Sequence, residues 1–507
     1  MVTDIPPSAD KSTDVEAHFH ASVSSAQVTI ADLKQHIGKD AAAHGKASNL
    51  VLHSSVLGEL LQKVQPIDFR KTVGLDNDAE KLKQKHYIVT VVEEVCTVAK
   101  QNHWGLRRSA GFVYAYNGAY WKPLLEDDLR AFLQAAAEKL GVDKYDARYV
   151  DFGAQLHKQF LSSAYLPAPE KSRDSVKINL LNGTFHITAE SQCLDGFAPA
   201  DFLTHQLPFE FNPEASAPLF QGFLDRVLPD QDCQRILAEY LGYLFIPHSK
   251  LKLEKALLLY GTGANGKSVF FEVVSALLGP ENISHNSLQS LTIDPSYARP
   301  HLANKLVNYA SEISGKSDAN VFKQLVSGEP VEARFPYGQP FTLTDYAKLI
   351  FNCNELPADV EHSHAYFRRF LIVPFKVTIP EAEQDKSLAA KIISSELSGV
   401  FNWVLAGLKR LLKQARFSDS AAVNQQIEEY RRQADSVRSF LDDNSYEASS
   451  SAFIARKDLY AEYRAYCLEE GNQPVNSRKF VKRLESYGIQ GMRKHIGHVH
   501  CLVKLGF

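Results

Sequence analysis

The sequence predicts an α/β protein with a core of alternating strands and helices, an α+β region before that core and a small, separately patterned module after it. Three observations carry this expectation. A strand-sized apolar run, Ala256–Tyr260, leads straight into the glycine-rich stretch Gly261-Thr262-Gly263-Ala264-Asn265-Gly266-Lys267-Ser268, and an apolar helical pattern, Val269–Leu278, follows. From there to about residue 380, short β-patterned runs alternate with helical ones. The 507 residues are 45% hydrophobic and 23% charged, an ordinary globular mixture that excludes collagenous, wholly disordered and disulfide-stapled proteins.

In chain order, residues 1–30 are expected to form a flexible tail, since the first 25 are polar and carry Pro6-Pro7. Residues 31–205 form an α+β region. Val51–Val64 and His86–Gln101 repeat apolar residues at helical spacing, while Gly111–Tyr116, Trp121 and Val176–Leu181 are strand-like. Asn182-Gly183 marks a hairpin turn. Phe211-Asn212-Pro213 and Ala217-Pro218 punctuate the start of a helical segment, 206–255. The α/β core occupies 256–380, helices follow over 381–435, and 436–507 is the terminal module.

Bulk charge says little: 56 Lys and Arg against 59 Asp and Glu leave a formal net charge of −3, so any nucleic-acid contact must come from local patches. The six cysteines include no CxxC pair, which points to reduced thiols and a cytoplasmic setting. Met1–Ser22 has no basic-then-apolar leader pattern, and no apolar run is long enough to span a bilayer, so no membrane partner is expected.

The octapeptide matches G-x-x-x-x-G-K-[ST]. Its glycines let backbone N–H groups curl around phosphates, Lys267 reaches the β- and γ-phosphates, and the Ser268 hydroxyl can ligate Mg²⁺. The following helix points its N-terminal dipole at the anion. Downstream, Leu306–Ala310 leads to Ser311-Glu312, where Glu312 can polarise an attacking water beside the metal. Lys348–Phe351 leads to Asn352-Cys353-Asn354, and Asn354 can orient that water without adding charge. Taken alone, it reads more readily as a turn residue. Arg368-Arg369 heads the run Phe370–Phe375 and suits an arginine finger, although in isolation a pair of surface cations or an ion-pair network is the better reading.

The order of these motifs resembles the superfamily 3 helicases, AAA+-related ring ATPases, and most closely the C-terminal helicase part of phage and plasmid primases and poxvirus-type primase-helicases. The residues that carry the resemblance are GTGANGKS (261–268), NYASEIS (308–314), FKQLVSGEPVEARFPYG (322–338), FNCNELP (351–357) and RRFLIVPF (368–375). It extends upstream through YNGAYWKP (116–123), NLLNGTFHI (179–187) and the helical 211–245, which is similar to the collar segment of that family, and covers about 110–507. It implies an AAA+-like core hydrolysing ATP with Mg²⁺, a homo-oligomeric ring, most simply a hexamer, and single-stranded DNA in its pore. By the same resemblance Lys323 and Gly328 match a family motif, Val331–Phe341 is a pore hairpin with its tip near Tyr337-Gly338, and Lys323, Arg334 and Tyr337 contact DNA. One of Arg368 and Arg369 acts in trans, with Arg369 preferred because it directly precedes the apolar strand. Two departures stand out. Many relatives have two adjacent acids where this chain has Ser311-Glu312, and the hairpin tip lacks the lysine of some relatives. No primase is expected: Asp76 and Asp78 form the one early D-x-D and read as a turn or helix start.

In the terminal module, Asn476 and Ser477 can cap a helix burying Phe480 and Leu484, with Arg478, Lys479, Lys482 and Arg483 outward. A basic hairpin carrying Arg493 and Lys494 follows, so helix and hairpin resemble a winged helix suited to duplex phosphates or to protein docking. Two further classes stay open beside the helicase: an initiator or defence component that uses ATP to switch assembly, and a small-molecule phosphotransferase.

Overall fold

A computed structural model describes residues 51–75, 80–109, 112–164, 175–310, 313, 317–357, 361–471 and 473–505. The tail expected over 1–30, Asp76, Asp78, Ser311 and Glu312 lie outside the described residues. The helical spacing of the N-terminal region becomes α1 (His53–Lys63), α2 (Phe69–Val73), α3 (Gln84–Gln101), α4 (Glu126–Leu140), α5 (Lys144–Arg148) and α6 (Val150–Ser163). Their apolar stripes meet in one core with Leu60, Val91, Val95, Leu133 and Leu156 fully buried. Beside them, β1 (Gly105–Ser109), β2 (Phe112–Tyr116) and β3 (Trp121–Leu124) form an antiparallel meander. A second meander joins β4 (Val176–Leu180), β5 (Gly183–Ile187) and β6 (Gln192–Asp195), turning at Leu181-Asn182 because Gly183, at φ +148, opens the tight pairing with Leu180.

Two helices lead to the core, α7 (Pro218–Val227) and α8 (Gln231–Tyr243), parted at Leu228-Pro229. The first two free N–H groups of α7, at Leu219 and Phe220, donate to the buried Glu396 carboxylate at 2.9 Å each, so the helix dipole meets an anion.

The core is a five-stranded sheet of β7 (Ala256–Tyr260), β8 (Ile283–Ser284), β9 (Val307–Ala310), β12 (Lys348–Cys353) and β13 (Phe370–Pro374). The spatial order is β13-β7-β12-β9-β8, every neighbouring pair parallel. Such a sheet must be covered on both faces, which is why its strands read as unbroken apolar runs. Leu257, Leu259, Tyr309 and Ile350 face one core, while Leu258, Ala310, Phe351 and Ile372 face another. The first face is covered by α8, α9 (Lys267–Leu278) and α14 (Leu397–Gln414); α13 (Leu388–Ser395) packs on α9. Helices α8 and α14 approach closely because Gly407 has no side chain: a Cβ there would lie 2.3 Å from the Ala238 carbonyl carbon. The second face takes α11 (Ala319–Val326), the hairpin of β10 (Val331–Ala333) and β11 (Phe341–Leu343), and α15 (Ala421–Gln433). Short helices α10 (Leu288–Thr292) and α12 (His364–Phe367) complete it.

The terminal module packs α16 (Ser436–Asp443), α17 (Arg456–Glu469) and α18 (Ser477–Ser486) around Phe440, Tyr463, Phe480 and Leu484. Its strands are β14 (Tyr446–Ala448) with β18 (Leu502–Lys504), and β15 (Ile454–Ala455), β16 (Gly491–Lys494) and β17 (Gly497–His500) in the order β15-β17-β16. As expected from Asn476, its Oδ1 caps α18 by accepting from Lys479 N at 3.0 Å. Among the described residues no helix is long and apolar enough to cross a membrane.

Candidate functional site

The octapeptide leaves the C-terminal edge of β7 and enters α9. Gly263, Ala264 and Gly266 all have positive φ, at +119, +47 and +84, which curls the backbone into a loop ahead of the helix N-terminus. A side chain on Gly266 would meet Phe223 and Val227 of α7 at 2.8 Å, and one on Gly261 would meet Phe375 O at 2.4 Å. The loop is strapped from behind by the segment after β13: Asn265 Nδ2 donates to Phe375 O at 3.1 Å, and Ile379 N to Ala264 O at 2.8 Å.

Lys267 is buried at the first position of α9 and donates to Gly261 O at 2.5 Å and Asn265 Oδ1 at 3.0 Å. Burial draws its pKa below the ordinary lysine value. These contacts hold the ammonium at the mouth of the loop. Thr262 and Ser268 are exposed, Ser268 on the first turn of α9. A glycine-rich cradle, a helix N-terminus, a buried lysine and an exposed hydroxyl together fit the phosphates of a nucleotide and the Mg²⁺ that accompanies them.

The neighbouring strand β12 brings a further group towards the loop. Gly261 N donates to Cys353 O at 3.1 Å, so Asn354, exposed immediately after β12, stands beside the start of the loop. Asn352, the other asparagine of that run, is buried and accepts from Tyr309 Oη at 3.1 Å, which leaves Asn354 as the exposed amide. Strand β9 ends at Ala310, two residues before Glu312.

The arginine pair lies at the other end of the sheet. Phe370 pairs with Ala256 at the start of β7, so Arg368 and Arg369 are separated from the loop by about 13–17 Å of strand. The two are not equivalent. Arg368 ends α12, is 43% exposed, and donates to Glu254 Oε2 at 2.6 Å. Arg369 is 8% exposed and donates to Ala365 O at 2.5 Å and Ser327 Oγ at 3.1 Å. Burial reverses the preference for Arg369 as a trans-acting group: its guanidinium is spent inside its own subunit.

The hairpin pairs Val331 with Leu343 and Ala333 with Phe341, and Tyr337, at φ +60, is fully exposed at its tip. Arg334 folds back, its Nε donating to Gly338 O at 2.9 Å, and so shapes the turn. Phe341 stacks on Phe335 and meets Phe112 of β2 edge-on at 6.1 Å, so the N-terminal region buttresses the hairpin base. Lys323 is a correction: its Nζ pairs with Glu361 at 2.8 Å, a partly buried contact within the chain rather than a cation offered to DNA.

In the terminal module Arg478, Lys479, Lys482 and Arg493 are exposed. Arg483 is a second correction, because it donates to the fully buried Asp435 at 2.7 Å beside Tyr487 Oη. Lys494 lies over the Phe453 ring at 3.6 Å. Lys479 and Lys482 line a cleft of about 1520 Å³ whose other wall carries Glu428, Glu429, Arg431 and Arg432 of α15. Reading the sequence missed Glu254, Glu361 and Asp435, which stand in no motif. A carboxylate preceding a buried strand, as at Glu254, was the one available hint.

Three family descriptions match the chain: D5 N-terminal-like over residues 97–229, a family of unknown function (DUF5906) over 259–369, and poxvirus D5 protein-like over 432–491. The middle match runs from the end of β7 through the phosphate loop to Arg369. Among curated proteins, the chain is 25% identical over 308 residues to "Putative helicase L207/L206" of Acanthamoeba polyphaga mimivirus, covering 56% of this chain and 32% of that protein. It is 24% identical over 341 residues to "Putative helicase 184R" of Invertebrate iridescent virus 6, covering 56% and 34%. The chain thus spans about a third of the length of these relatives. Among solved structures, the A form apo structure of the NrS-1 C-terminal region overlays with a TM-score of 0.46 at 15% identity, covering 81% of this chain and 99% of that one.

Proposed function

We propose that this chain, which belongs with the D5-like primase-helicases, is an ATP-dependent DNA helicase or translocase of superfamily 3 type, acting in replication of a phage, plasmid or other mobile element. One observation carries the reading. The phosphate loop and the Asn354 strand are neighbours at one end of the parallel sheet, while Arg368 is exposed at the other end. A subunit therefore holds a nucleotide with its own loop but cannot bring its own Arg368 to it, and the AAA+-like strand order supports completion of the site by a neighbour.

In this reading Lys267 and the loop N–H groups bind the β- and γ-phosphates, Ser268 and Glu312 hold Mg²⁺, and Asn354 orients the attacking water. The metal supplies neutralisation of phosphate charge. Arg368 of the adjacent subunit stabilises charge developing in the transition state. Tyr337 at the hairpin tip offers a stacking surface to single-stranded DNA in the pore, and a homo-hexamer is the simplest ring. The order of helices and strands in the terminal module supports a winged helix whose Arg478 and Arg493 meet duplex phosphates.

A second reading has its own support. Arg483 is engaged with Asp435, and Lys479 and Lys482 overlook the chain's own α15. That suits an ATP-switched initiator or defence component whose terminal module docks protein and which separates no strands. Steady-state ATPase of the purified chain with and without single-stranded DNA, at low salt because phosphate contacts are salt-sensitive, separates the two. Clear stimulation, lost in Lys267→Ala, is expected for the translocase. Robust hydrolysis indifferent to every DNA and RNA tested favours the switch.

A further inference from the structure

The loop leading into β7 holds a carboxylate for which the proposed chemistry has no use. Glu254 stands two residues before β7 at φ +53, a left-handed conformation that long side chains seldom adopt and that recurs at functional positions. Its Oε2 accepts from Arg368 at 2.6 Å and lies 3.6 Å from Arg369, and its Oε1 is 3.8 Å from Lys252. Burial opposes the charged form, yet Arg368, Arg369 and Lys252 together hold the carboxyl below the ordinary glutamate value, so it is anionic at neutral pH. The same loop fixes the Arg368 main chain, because Lys255 Nζ donates to Arg368 O at 2.6 Å. Only the Arg368 side chain is left to swing.

We infer that Glu254 is a latch on the finger: it holds the Arg368 guanidinium against its own subunit and yields it when a neighbour presents ATP. The inference rests on the trans role proposed for Arg368. A guanidinium neutralised by its own carboxylate gives little to a phosphoryl group, and a carboxylate carried along with it would repel that group. The pair must therefore part for hydrolysis. A half-exposed ion pair shifts such an equilibrium by a small factor, whereas a transition state between subunits rewards the arginine far more. The latch accordingly suppresses hydrolysis in disengaged subunits without blocking engaged ones. Glu254 touches no substrate and acts through Arg368, so it is a positioning residue.

The test uses the full chain carrying Glu254→Gln, which keeps shape and backbone and removes the charge, together with Arg368→Ala and the double variant. ATPase is measured against ATP and protein concentration without DNA, alongside thermal unfolding. Glu254→Gln is expected to raise turnover about two- to fivefold, to leave the KM for ATP unchanged and to melt as the parent does. The double variant is expected to be as slow as Arg368→Ala alone. Should Glu254→Gln fail to fold, Glu254→Asp replaces it, since aspartate accepts left-handed backbone more readily and retracts the carboxylate from Arg368; the same rise is expected. Slow turnover in Arg368→Ala with no gain on loosening Glu254 overturns the latch alone. Parental turnover in Arg368→Ala overturns the finger assignment, and the latch with it.

Discussion

Replacing each arginine of the pair by alanine separates two roles that adjacent identical residues would otherwise hide. Arg369→Ala removes a guanidinium that is 8% exposed and donates to Ala365 O and Ser327 Oγ, with Glu254 3.6 Å away. Hydrogen bonds from a charged donor are worth about 1.5–3 kcal/mol each. Desolvation of the charge and the buried Arg369 Nε, which has no hydrogen-bond partner, offset part of that. The expected net loss is about 2–4 kcal/mol, or roughly 4–15 °C in the melting of a core of this size. Arg368→Ala breaks a half-exposed ion pair and costs about 0.2–1 kcal/mol, yet removes the finger, which lowers turnover by about 10³-fold or more. Scanning calorimetry reads the first quantity. For the second, Lys267→Ala subunits, which cannot hydrolyse ATP but still present Arg368, are mixed with Arg368→Ala subunits; the mixture is expected to recover activity that neither has alone. An Arg369→Ala protein that melts like the parent but loses turnover, beside an active Arg368→Ala, would refute the inference from burial and make Arg369 the finger.

Lys267→Ala is expected to abolish ATPase without lowering the melting temperature, because the variant discards a desolvated ammonium; calorimetry and a phosphate-release assay check this. Gly266→Ala forces a Cβ into left-handed backbone, at about 1–2 kcal/mol, and against Phe223 and Val227 at 2.8 Å, so binding of a fluorescent ATP analogue is expected to disappear. Tyr337→Ala is expected to weaken single-stranded DNA about 5–100-fold by anisotropy, the worth of one stacked base, while Tyr337→Phe retains it. His53 is drawn from 6.5 to about 4 chiefly by burial. Its folded pKa lies below the unfolded one, so its contribution is complete above pH 6.5 and is lost as pH falls towards 4. A set of melts across that window is expected to slope less steeply for His53→Gln.

The features legible from the order of residues alone are local. The octapeptide is legible because glycine spacing and a lysine at a helix start prescribe backbone torsions and charge within eight neighbouring residues, and the flanking strand and helix follow from apolar periodicity alone. The Asn476 cap is legible for the same reason, whereas the hairpin turn expected at Asn182-Gly183 falls one residue earlier, at Leu181-Asn182, with Gly183 already paired to Leu180. Tertiary structure decided everything that depends on distant partners. Lys323 and Arg483 look like free cations in sequence, but Glu361 lies 38 residues away and Asp435 48 residues away, and folding brings each pair into an ion pair. Arg368 and Arg369 have the same chemistry, and only the turn from α12 into β13 sends one guanidinium inward to Ala365 and Ser327 and leaves the other at Glu254. The separation of Arg368 from the phosphate loop was also invisible, since it arises from β13 pairing beside β7 in parallel. Sequence spacing reports the torsions of a segment; which charges are spent inside the fold depends on what packs against them.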